Sequence, residues 1–315
     1  MIVQSTPENI LEGGNRLRSG GLVAFPTETV YGLGADATSD DAVARIFSVK
    51  RRPDFNPLII HVSDIESAMS LAQLSDSAKK IASAFWPGPI SIVAKKTVDS
   101  PISLLASAGL NTVAIRVPAH EITHALLRAT ARPVAAPSAN LSGKISPTDA
   151  LHVQESLGAA AEFIIDAGRC AVGLESTVID CTRDIPTILR PGGVTTEQIE
   201  KVVGRIDIPN SRSVLPKSPG MLESHYAPDA VLRLNATSVF AGEALLAFGK
   251  GLPNNPDLTK NLSPKANLEQ AAGNLFAMLR ELDVLATRIA VMPVPNEGLG
   301  RAINDRLRRA SAPQM

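Results

Sequence analysis

The chain has 315 residues, 44% hydrophobic and 20% charged, which is enough for about two domains that each bury an apolar core. The chain has 31 basic residues (Lys and Arg) and 31 acidic residues (Asp and Glu), so its formal net charge is zero. This excludes a polycation that coats nucleic acid or an anionic membrane, but it does not exclude a local basic patch. Two cysteines, Cys170 and Cys181, are too few for a disulfide framework or a zinc ribbon, and 3% aromatic residues argue against a surface of stacking rings.

The start of the chain carries no targeting signal that we can identify. Residues 1–10 lack the basic and apolar segments of a signal peptide. No apolar run in the chain approaches the roughly 18 residues needed to cross a bilayer. We therefore expect a cytoplasmic protein that does not associate with membranes.

Up to about Gly193, short β-rich runs alternate with helical stretches. Length and β-branched content predict strands at 22–25, 58–62, 90–95, 112–117, 163–166 and 177–180. Helical spacing behind Ser or Asp caps predicts helices over 40–49 and 75–85. This alternation favours an α/β domain over residues 1–204, and it leaves open whether the sheet is mixed or parallel.

A composition change separates this region from a second one. Residues 209–228 contain four prolines among Ser, Asn, Lys and His, so we interpret 205–230 as an extended linker. Beyond it, three strands, a helix capped by Asn267 and a last helix predict a small α/β domain over 231–315. The strands are expected at 231–234, 244–249 and 289–294, and the last helix at 300–310.

Several well-known nucleotide-binding, hydrolase and zinc motifs are either incomplete or absent in this chain. Gly32-Leu-Gly34 resembles a truncated dinucleotide fingerprint, but the next predicted helix begins only near Asp40. The chain has no Gly-x-x-x-x-Gly-Lys-Ser/Thr loop and no Gly-x-Ser-x-Gly elbow. His120 and His124 lie four apart without the Glu or the third ligand that a zinc site needs, and we interpret them as a solvated or capping pair.

Polar segments rich in Gly and Pro follow several predicted strands. Their hydroxyl, amide and guanidinium groups are those that a phosphate site without a Walker loop requires. Lys50 and Arg52 lie two apart, so they share a face only if the end of their helix has unwound. For any one segment, turns and helix ends, with both cations satisfying the helix dipole, are the simpler explanation of the same residues. The residues by themselves predict a possible nucleotide or phosphate site.

Five segments, taken together and in order, resemble the YrdC-type threonylcarbamoyl-AMP synthase family. They are PTETVYGLG at 26–34, KRRP with PLIIHV at 50–62, FWPGPIS at 85–91, APSANLSGKISPT at 136–148 and STVID at 176–180. SPGMLESHYAP at 218–228 and the small C-terminal domain resemble the long two-domain form. The linker lacks basic residues at 222–224 that are typical of the family, which weakens the expectation of linker contacts to phosphate.

The resemblance implies a fold and a reaction. The fold is a YrdC-like twisted mixed sheet with helices and a concave ATP site, plus a smaller Rossmann-like α/β C-terminal domain. The reaction joins L-threonine, bicarbonate and ATP into threonylcarbamoyl-AMP and pyrophosphate, with Mg²⁺ entering on the ATP phosphates and no protein metal ligand. The product would serve a downstream tRNA threonylcarbamoyl transferase complex that makes threonylcarbamoyladenosine, and weak RNA binding is a further possible property.

The resemblance also implies site residues. Two cations are expected to act on the triphosphate as catalytic residues: Lys50 and Arg52. Expected ATP contacts are Arg52, Asn56, Thr112, Ser138, Asn140, Ser146, Arg190 and Tyr226. Expected threonine contacts are Thr29, His61, Arg116, Ala136 (through its backbone) and Ser176.

Other residues in or near these motifs are expected to support the structure and not to contact a substrate. Glu28 and Tyr31 are expected to brace their loop, and Trp86 is expected to pack in the core. Arg306 and the other arginines near the C-terminal end are expected to form a solvated helix face. Two other functions stay open: a double-stranded RNA or tRNA-binding module, whose affinity would fall steeply with salt, and a carbamoyl-transfer domain of the same fold.

Overall fold

The structure is a computed structural model that describes residues 1–208, 225–251, 253, 256 and 258–313. Most of the predicted linker, 209–224, lies outside the described residues. The remaining chain forms two sheets, one on each side of the linker. The predicted limits of the two domains stay predictions, but the two sheets fall within them.

The first sheet and its helices use residues 2–203. In chain order the elements are β1 (Ile2–Gln4), α1 (Pro7–Arg18), β2 (Val23–Phe25), β3 (Gly32–Asp36), α2 (Asp40–Lys50), β4 (Ile59–His61), α3 (Ile65–Leu71), β5 (Ala72–Gln73), α4 (Asp76–Phe85), β6 (Ile90–Lys96), β7 (Thr112–Arg116), α5 (Glu121–Thr130), β8 (Val134–Ala135), α6 (Ala150–Leu157), β9 (Ile164–Asp166), β10 (Thr177–Asp180), β11 (Thr187–Arg190) and α7 (Thr196–Val203). The sheet order is β1-β9-β2-β3-β8-β4-β7-β6-β10-β11, with β5 paired to β6. The strands expected from sequence are present.

Both parallel and antiparallel pairs of strands occur in this sheet. β4 pairs with β7 and β6 with β10 in parallel, whereas β6 with β7 and β8 with β4 are antiparallel. The sheet is therefore mixed, which confirms the fold that the family resemblance implied. The glycines of Gly32-Leu-Gly34 lie inside β3, so the rejected fingerprint is a strand and not a turn before a helix.

Helix ends follow the caps in the sequence. The Ser39 side chain accepts a hydrogen bond from the Ala42 backbone at the start of α2, and Ser75 does the same for α4. Helix α2 ends at Lys50 because Arg51 adopts the left-handed conformation, with φ at 49°. The unwinding that would let Lys50 and Arg52 share a face is therefore present.

The main core lies between the sheet and its helices. Trp86 is buried there and its Nε1 donates to the Ile90 carbonyl at 2.8 Å, as expected of a packed indole. His120 stands at the N-cap of α5 without making a side-chain cap, and His124 follows within the helix. None of the helices in the described ranges is long and apolar enough to cross a membrane.

The second sheet has four parallel strands in the described part of the chain. Its elements are β12 (Val231–Arg233), β13 (Ala244–Ala247), β14 (Thr259–Asn261), α8 (Leu268–Leu285), β15 (Arg288–Val291) and α9 (Gly300–Ala310), in sheet order β12-β15-β13-β14. Asn267 caps α8 through its side chain, as the sequence predicts. The expected α/β second domain is confirmed.

The two domains pack directly on one another. An apolar cluster joins Val30, Ile145 and Leu174 of the first domain to residues of the second. Gly173, with φ at +69°, approaches α8 so closely that a Cβ there would lie 2.6 Å from the Cα of Gly273. This approach requires glycine.

One expectation about the second domain is wrong. Arg306 in α9 was expected on a solvated face, but its side chain is 1% exposed. It points into the domain interface, where two carboxylates and a carbonyl of the protein accept its hydrogen bonds. A buried charge is tolerated when it is paired in this way.

Candidate active site

A pocket opens at the ends of β4, β7, β10 and β11, close to the domain interface. Its volume is about 50 Å³, enough for a few water molecules. The lining residues are Thr27, Thr29, Val30, Gly32, Arg52, Ile59, His61, Arg116, Ala136, Pro137, Ser138, Glu175, Ser176, Arg190, His225 and Tyr226. Most of the residues implied by the family resemblance therefore meet in one place.

One wall, which we call the Arg116 side, is formed by Arg116, Thr29 and His61, and Glu28 supports it through an ion pair with Arg116. Arg116 ends β7 and its guanidinium is held at three points. Nη1 donates to Thr29 Oγ1 at 2.9 Å, Nε donates to the Gly88 carbonyl at 3.2 Å, and Nη2 lies 2.6 Å from Glu28 Oε1. Glu28 thus braces more than its own loop, because it neutralises and orients this arginine.

His61 ends β4, the strand parallel to β7, so it lies beside Arg116. Burial, and then the charge of Arg116, lower the pKa of His61 from 6.5 to about 3. The imidazole is neutral at pH 7, and its Nδ1 has no hydrogen-bond partner among the described residues. A neutral ring adds no second positive charge next to Arg116.

The opposite wall, which we call the Arg190 side, is formed by Arg190, Arg52, Ser176, Glu175 and Tyr226. Arg190 ends β11 and donates to the Ser176 carbonyl at 2.9 Å and, at 3.3 Å, to Ser176 Oγ. Gly192 lets β11 approach this segment, because a Cβ there would lie 2.3 Å from the Thr177 nitrogen. Ser176 Oγ also bonds Ser91 Oγ at 2.8 Å.

Lys50 and Arg52 project from the unwound end of α2. Lys50 Nζ donates to the carbonyl of Ser138 at 2.7 Å and to that of Asn140, and not to the end of its own helix. Arg52 Nη2 donates to the Pro57 carbonyl at 3.1 Å. Both side chains are buried, and their recorded partners are neutral carbonyls.

Burial makes both charges costly. Burial, and then the charge of Arg190, lower the pKa of Arg52 from 12.5 to about 9. Burial, and then the charge of Arg52, lower the pKa of Lys50 well below its usual 10.5. An anion in the pocket would relieve both costs.

Glu175 is the carboxylate that lines the pocket. Its Oε1 accepts from Ser146 Oγ at 2.5 Å, and its Oε2 accepts from Arg306 Nε at 2.8 Å. Burial alone would raise the pKa of Glu175, but the charges of Arg306 and Arg190 and these hydrogen bonds lower it to about 2. The carboxylate is therefore ionised at pH 7, and both of its oxygens already accept a hydrogen bond.

Tyr226 closes the pocket from the linker side. It adopts φ at +64°, a left-handed conformation that is costly for an aromatic residue. Its ring stacks on Phe276 with centroids 5.5 Å apart, and the Arg306 guanidinium carbon lies 5.3 Å from its centroid. His225 lies beside it, with the ring centroids 4.1 Å apart.

Five predicted residues do not line the pocket: Lys50, Asn56, Thr112, Asn140 and Ser146. Lys50, Asn140 and Ser146 are one hydrogen bond away from lining residues or their loop. Asn56 is fully buried behind Arg52, and its side-chain amide has no partner within the described ranges.

Thr112 is set further apart. It begins β7, whereas Arg116 ends it, so the two residues lie about 13 Å apart along the strand. The ATP contact expected of Thr112 stays a prediction, as do the other assigned roles.

The sequence analysis did not assign four polar side chains that line or support the pocket: Thr27, Glu175, His225 and Arg306. Thr27 and Glu175 lie next to recognised motif residues, and that position was a usable signal. His225 lies next to Tyr226 in the recognised linker segment. Arg306 had no local signal, because its partner Glu175 lies 131 residues earlier in the chain.

Comparisons with known proteins match both domains. A family model for Sua5, YciO and YrdC proteins, described as "Telomere recombination", matches residues 15–192. A model described as "Threonylcarbamoyl-AMP synthase, C-terminal domain" matches residues 194–312.

Curated relatives match nearly the whole chain. A threonylcarbamoyl-AMP synthase of Pyrococcus abyssi is 43% identical over 94% of this chain and 92% of its own length. One of Bacillus subtilis is 40% identical over 94% of this chain and 90% of its own length. The crystal structure of P. abyssi Sua5 complexed with L-threonine matches with a TM-score of 0.91 at 40% identity, covering 99% of this chain and 97% of that one.

Proposed function

The chain belongs to the threonylcarbamoyl-AMP synthase family, in its long two-domain form, and from this premise we propose that it is a nucleotidyltransferase that makes threonylcarbamoyl-AMP and pyrophosphate. The substrates are L-threonine, bicarbonate and ATP. The proposal takes the threonine to the Arg116 side, with Ser176 as an expected contact from the opposite wall, and the nucleotide to the Arg190 side.

The observation that carries the proposal is the pair of buried cations on neutral partners. Within the described part of the chain, Lys50 and Arg52 have no carboxylate as a hydrogen-bond partner, and burial lowers the pKa of both side chains. A protein that only needed stability would gain from apolar residues at both positions. A triphosphate supplies the negative charge that these groups lack.

The Arg116 side suits an amino acid. A guanidinium binds a carboxylate through two parallel hydrogen bonds, and Thr29 and Glu28 fix the plane of this one. Since two protein groups accept hydrogen bonds from Arg116 and Glu28 forms an ion pair with it, a bound carboxylate would share or replace one of these contacts. Neutral His61 lies next to it.

The chemistry needs positioning more than covalent help from the protein. The threonine amine adds to bicarbonate with loss of water and gives a carbamate. A carbamate oxygen then attacks the α-phosphorus of ATP, and pyrophosphate leaves. The buried cations stabilise the charge that develops on the phosphates, and a closed pocket shelters the unstable carbamate from water.

Mg²⁺ fits this site as a partner of ATP. The carboxylate at the pocket, Glu175, already accepts from Ser146 and Arg306 through its two oxygens. Within the described ranges, no group of three His, Cys, Asp or Glu side chains could hold a metal ion. Mg²⁺ commonly binds through substrate phosphates, where it would neutralise charge on the nucleotide. The product would then pass to a tRNA threonylcarbamoyl transferase complex.

The test is pyrophosphate release from ATP and Mg²⁺, with threonine and bicarbonate omitted in turn. Release should need both, and mass spectrometry should find the threonylcarbamoyl-adenylate. Arg52→Met should lower kcat/KM about 100-fold or more, because a buried cation at the reacting phosphates is lost. Arg51→Met, at the exposed neighbour, is the matched control and should keep activity.

A folded wild-type chain that releases no pyrophosphate under these conditions would contradict the proposal. Salt-sensitive RNA binding in that case would support the RNA-binding alternative.

A further inference from the structure

The second domain contacts the nucleotide side of the pocket through a buried arginine. Arg306 lies in α9, yet its Nε donates to Glu175 Oε2 at 2.8 Å and its Nη1 donates to the Pro191 carbonyl at 2.8 Å. Both acceptors belong to the first domain, on the segments that carry Ser176 and Arg190. The guanidinium therefore bridges the two segments that form one wall of the pocket.

The bridge continues to residues that are expected to contact the nucleotide. Through its other oxygen, Glu175 accepts from Ser146, one of the expected ATP contacts. The Arg306 guanidinium also lies 5.3 Å from the centroid of the Tyr226 ring, which lines the same wall. One side chain of the second domain thus fixes three features of the nucleotide side at once.

The surroundings of Arg306 hold it in a single position. Its side chain is 1% exposed, and Asp305 in the same helix accepts from Nη1 at 3.0 Å. Asp305 also pairs with Arg308 and Arg309, so α9 carries its own counterion network. Burial alone would lower the pKa of Arg306, but the charges of Glu175 and Asp305 and the hydrogen bond to Glu175 outweigh it, so the pKa is raised.

From this geometry we propose that Arg306 is a positioning residue for the nucleotide: through Glu175 and the Pro191 carbonyl it sets the orientation of Ser146 and of the strand end that carries Arg190. The hydroxyl of Ser176, an expected threonine contact, is held separately by Ser91 of the first domain. The inference rests on the proposed function, because it assumes that ATP occupies this wall. It gives the second domain a role in binding ATP and none in binding threonine.

The Arg116 side is independent of this bridge. The partners of Arg116 are Thr29, Glu28 and Gly88, all in the first domain. Loss of Arg306 should therefore weaken ATP binding and leave threonine binding unchanged. A merely structural role would weaken both together.

The chain offers a matched control in the same helix. Arg301 also crosses to the first domain and pairs with Glu197 of α7 at 3.0 Å, but these side chains are 36% and 43% exposed. An exposed pair of this kind contributes little to stability. Arg301→Met removes the same type of side chain from the same interface without touching the pocket.

The experiment measures the dissociation constant for ATP with Mg²⁺ by calorimetry, without threonine, and in parallel that for L-threonine. Arg306→Met should raise the ATP constant about 10- to 100-fold, since small displacements of positioning groups have effects of this size, and should leave the threonine constant within about twofold. Arg306→Lys keeps the charge but not the fork geometry, and should recover only part of the ATP affinity. Arg301→Met should match wild type for both ligands.

A second variant serves as the control for misfolding. Arg306→Met leaves Glu175 buried without its main partner and can unfold the chain. The double variant Glu175→Gln/Arg306→Met removes both charges together, and it should fold and still bind ATP about tenfold more weakly, because the substituted amide lacks the guanidinium that orients the native carboxylate. An ATP constant within about twofold of wild type in this folded variant overturns the inference, and so does an equal loss for ATP and threonine.

These outcomes separate the two proposals. Wild-type binding of ATP without formation of the adenylate would remove the proposed function and leave the role of Arg306 testable as stated. Failure of the wild type to bind ATP would overturn both.

Discussion

The two sides of the pocket differ in where their support comes from. On the Arg116 side, the guanidinium is held by Glu28, Thr29 and Gly88, and all of them precede it in the same domain. On the Arg190 side, Glu175 depends on Arg306, which belongs to the other domain. The first wall can form when the first domain folds, whereas the second is complete only after the domains have docked.

The buried cations of the pocket also differ in how their charge is balanced. Arg116 has a carboxylate partner 2.6 Å away, while Lys50 and Arg52 bond to neutral carbonyls. A paired arginine contributes to both stability and binding, whereas a buried cation on carbonyls is retained at a cost in stability. The comparison teaches that the Arg190 side depends on its ligand for charge balance, and the Arg116 side does not.

The largest effect should come from Lys50→Met. We expect kcat/KM to fall about 100- to 1000-fold, because a preorganised cation at the phosphates is lost. The free energy of unfolding should stay within about 1 kcal/mol of wild type or increase, because a buried charge is replaced by an apolar chain of similar length. Denaturant titration and initial rates check this, with exposed Lys79→Met as the control. If the variant lost much stability but kept its activity, Lys50 would be a structural cation and the contrast with Arg116 would be wrong.

Arg116→Lys should give a smaller and more selective effect. Lysine cannot bind a carboxylate in a bidentate manner, so the KM for threonine should rise about 10- to 100-fold, or roughly 1.4–2.8 kcal/mol. The dissociation constant for ATP should not change by more than about twofold. The control is Arg132→Lys, whose partner Asp36 lies away from the pocket. Equal changes for the two substrates would show that the sides are not separate.

The smallest effect is on acid stability. The pKa of Glu175 is lowered to about 2, so its contribution to stability is present above its ordinary pKa of 4.5 and is lost as the pH falls from there through about 2. The difference in Tm between wild type and Glu175→Gln should therefore be largest near pH 6 and shrink below pH 4.5. Glu197→Gln, at an exposed pair, should show a much smaller difference at every pH. A Tm difference for Glu175→Gln that stays constant or grows as the pH falls below 4.5 would contradict this assignment.

Much of the fold could be predicted because its signals are local. Strand β4 and helix α2 follow from β-branched content and a serine cap, and both lie within two residues of their predicted limits. The order of pairing in the mixed sheet had no such signal and came only from the family resemblance. Pairing depends on contacts between distant segments, which neither periodicity nor capping records.

The site residues divide in the same way, into those with a local sequence signal and those placed by contacts between distant segments. Arg116 and Arg190 end strands, so a motif at a strand end placed them correctly at the pocket. Arg306 was misplaced because a charged residue in an amphipathic helix is normally solvated, and no local pattern indicated its distant carboxylate partner. Glu28 was given a bracing role, and its contact with Arg116 became visible only when residues 88 positions apart met.

The apolar cluster that joins Val30, Ile145 and Leu174 to Tyr226 and Phe276 has a consequence for melting. Since this cluster has contributions from both domains, separating them exposes part of the core of each. We therefore expect the two domains to unfold as one cooperative unit, so that calorimetry records a single heat-absorption peak, where independent domains would give two. A cavity made in α8 would then loosen the catalytic half of the molecule as well as its own.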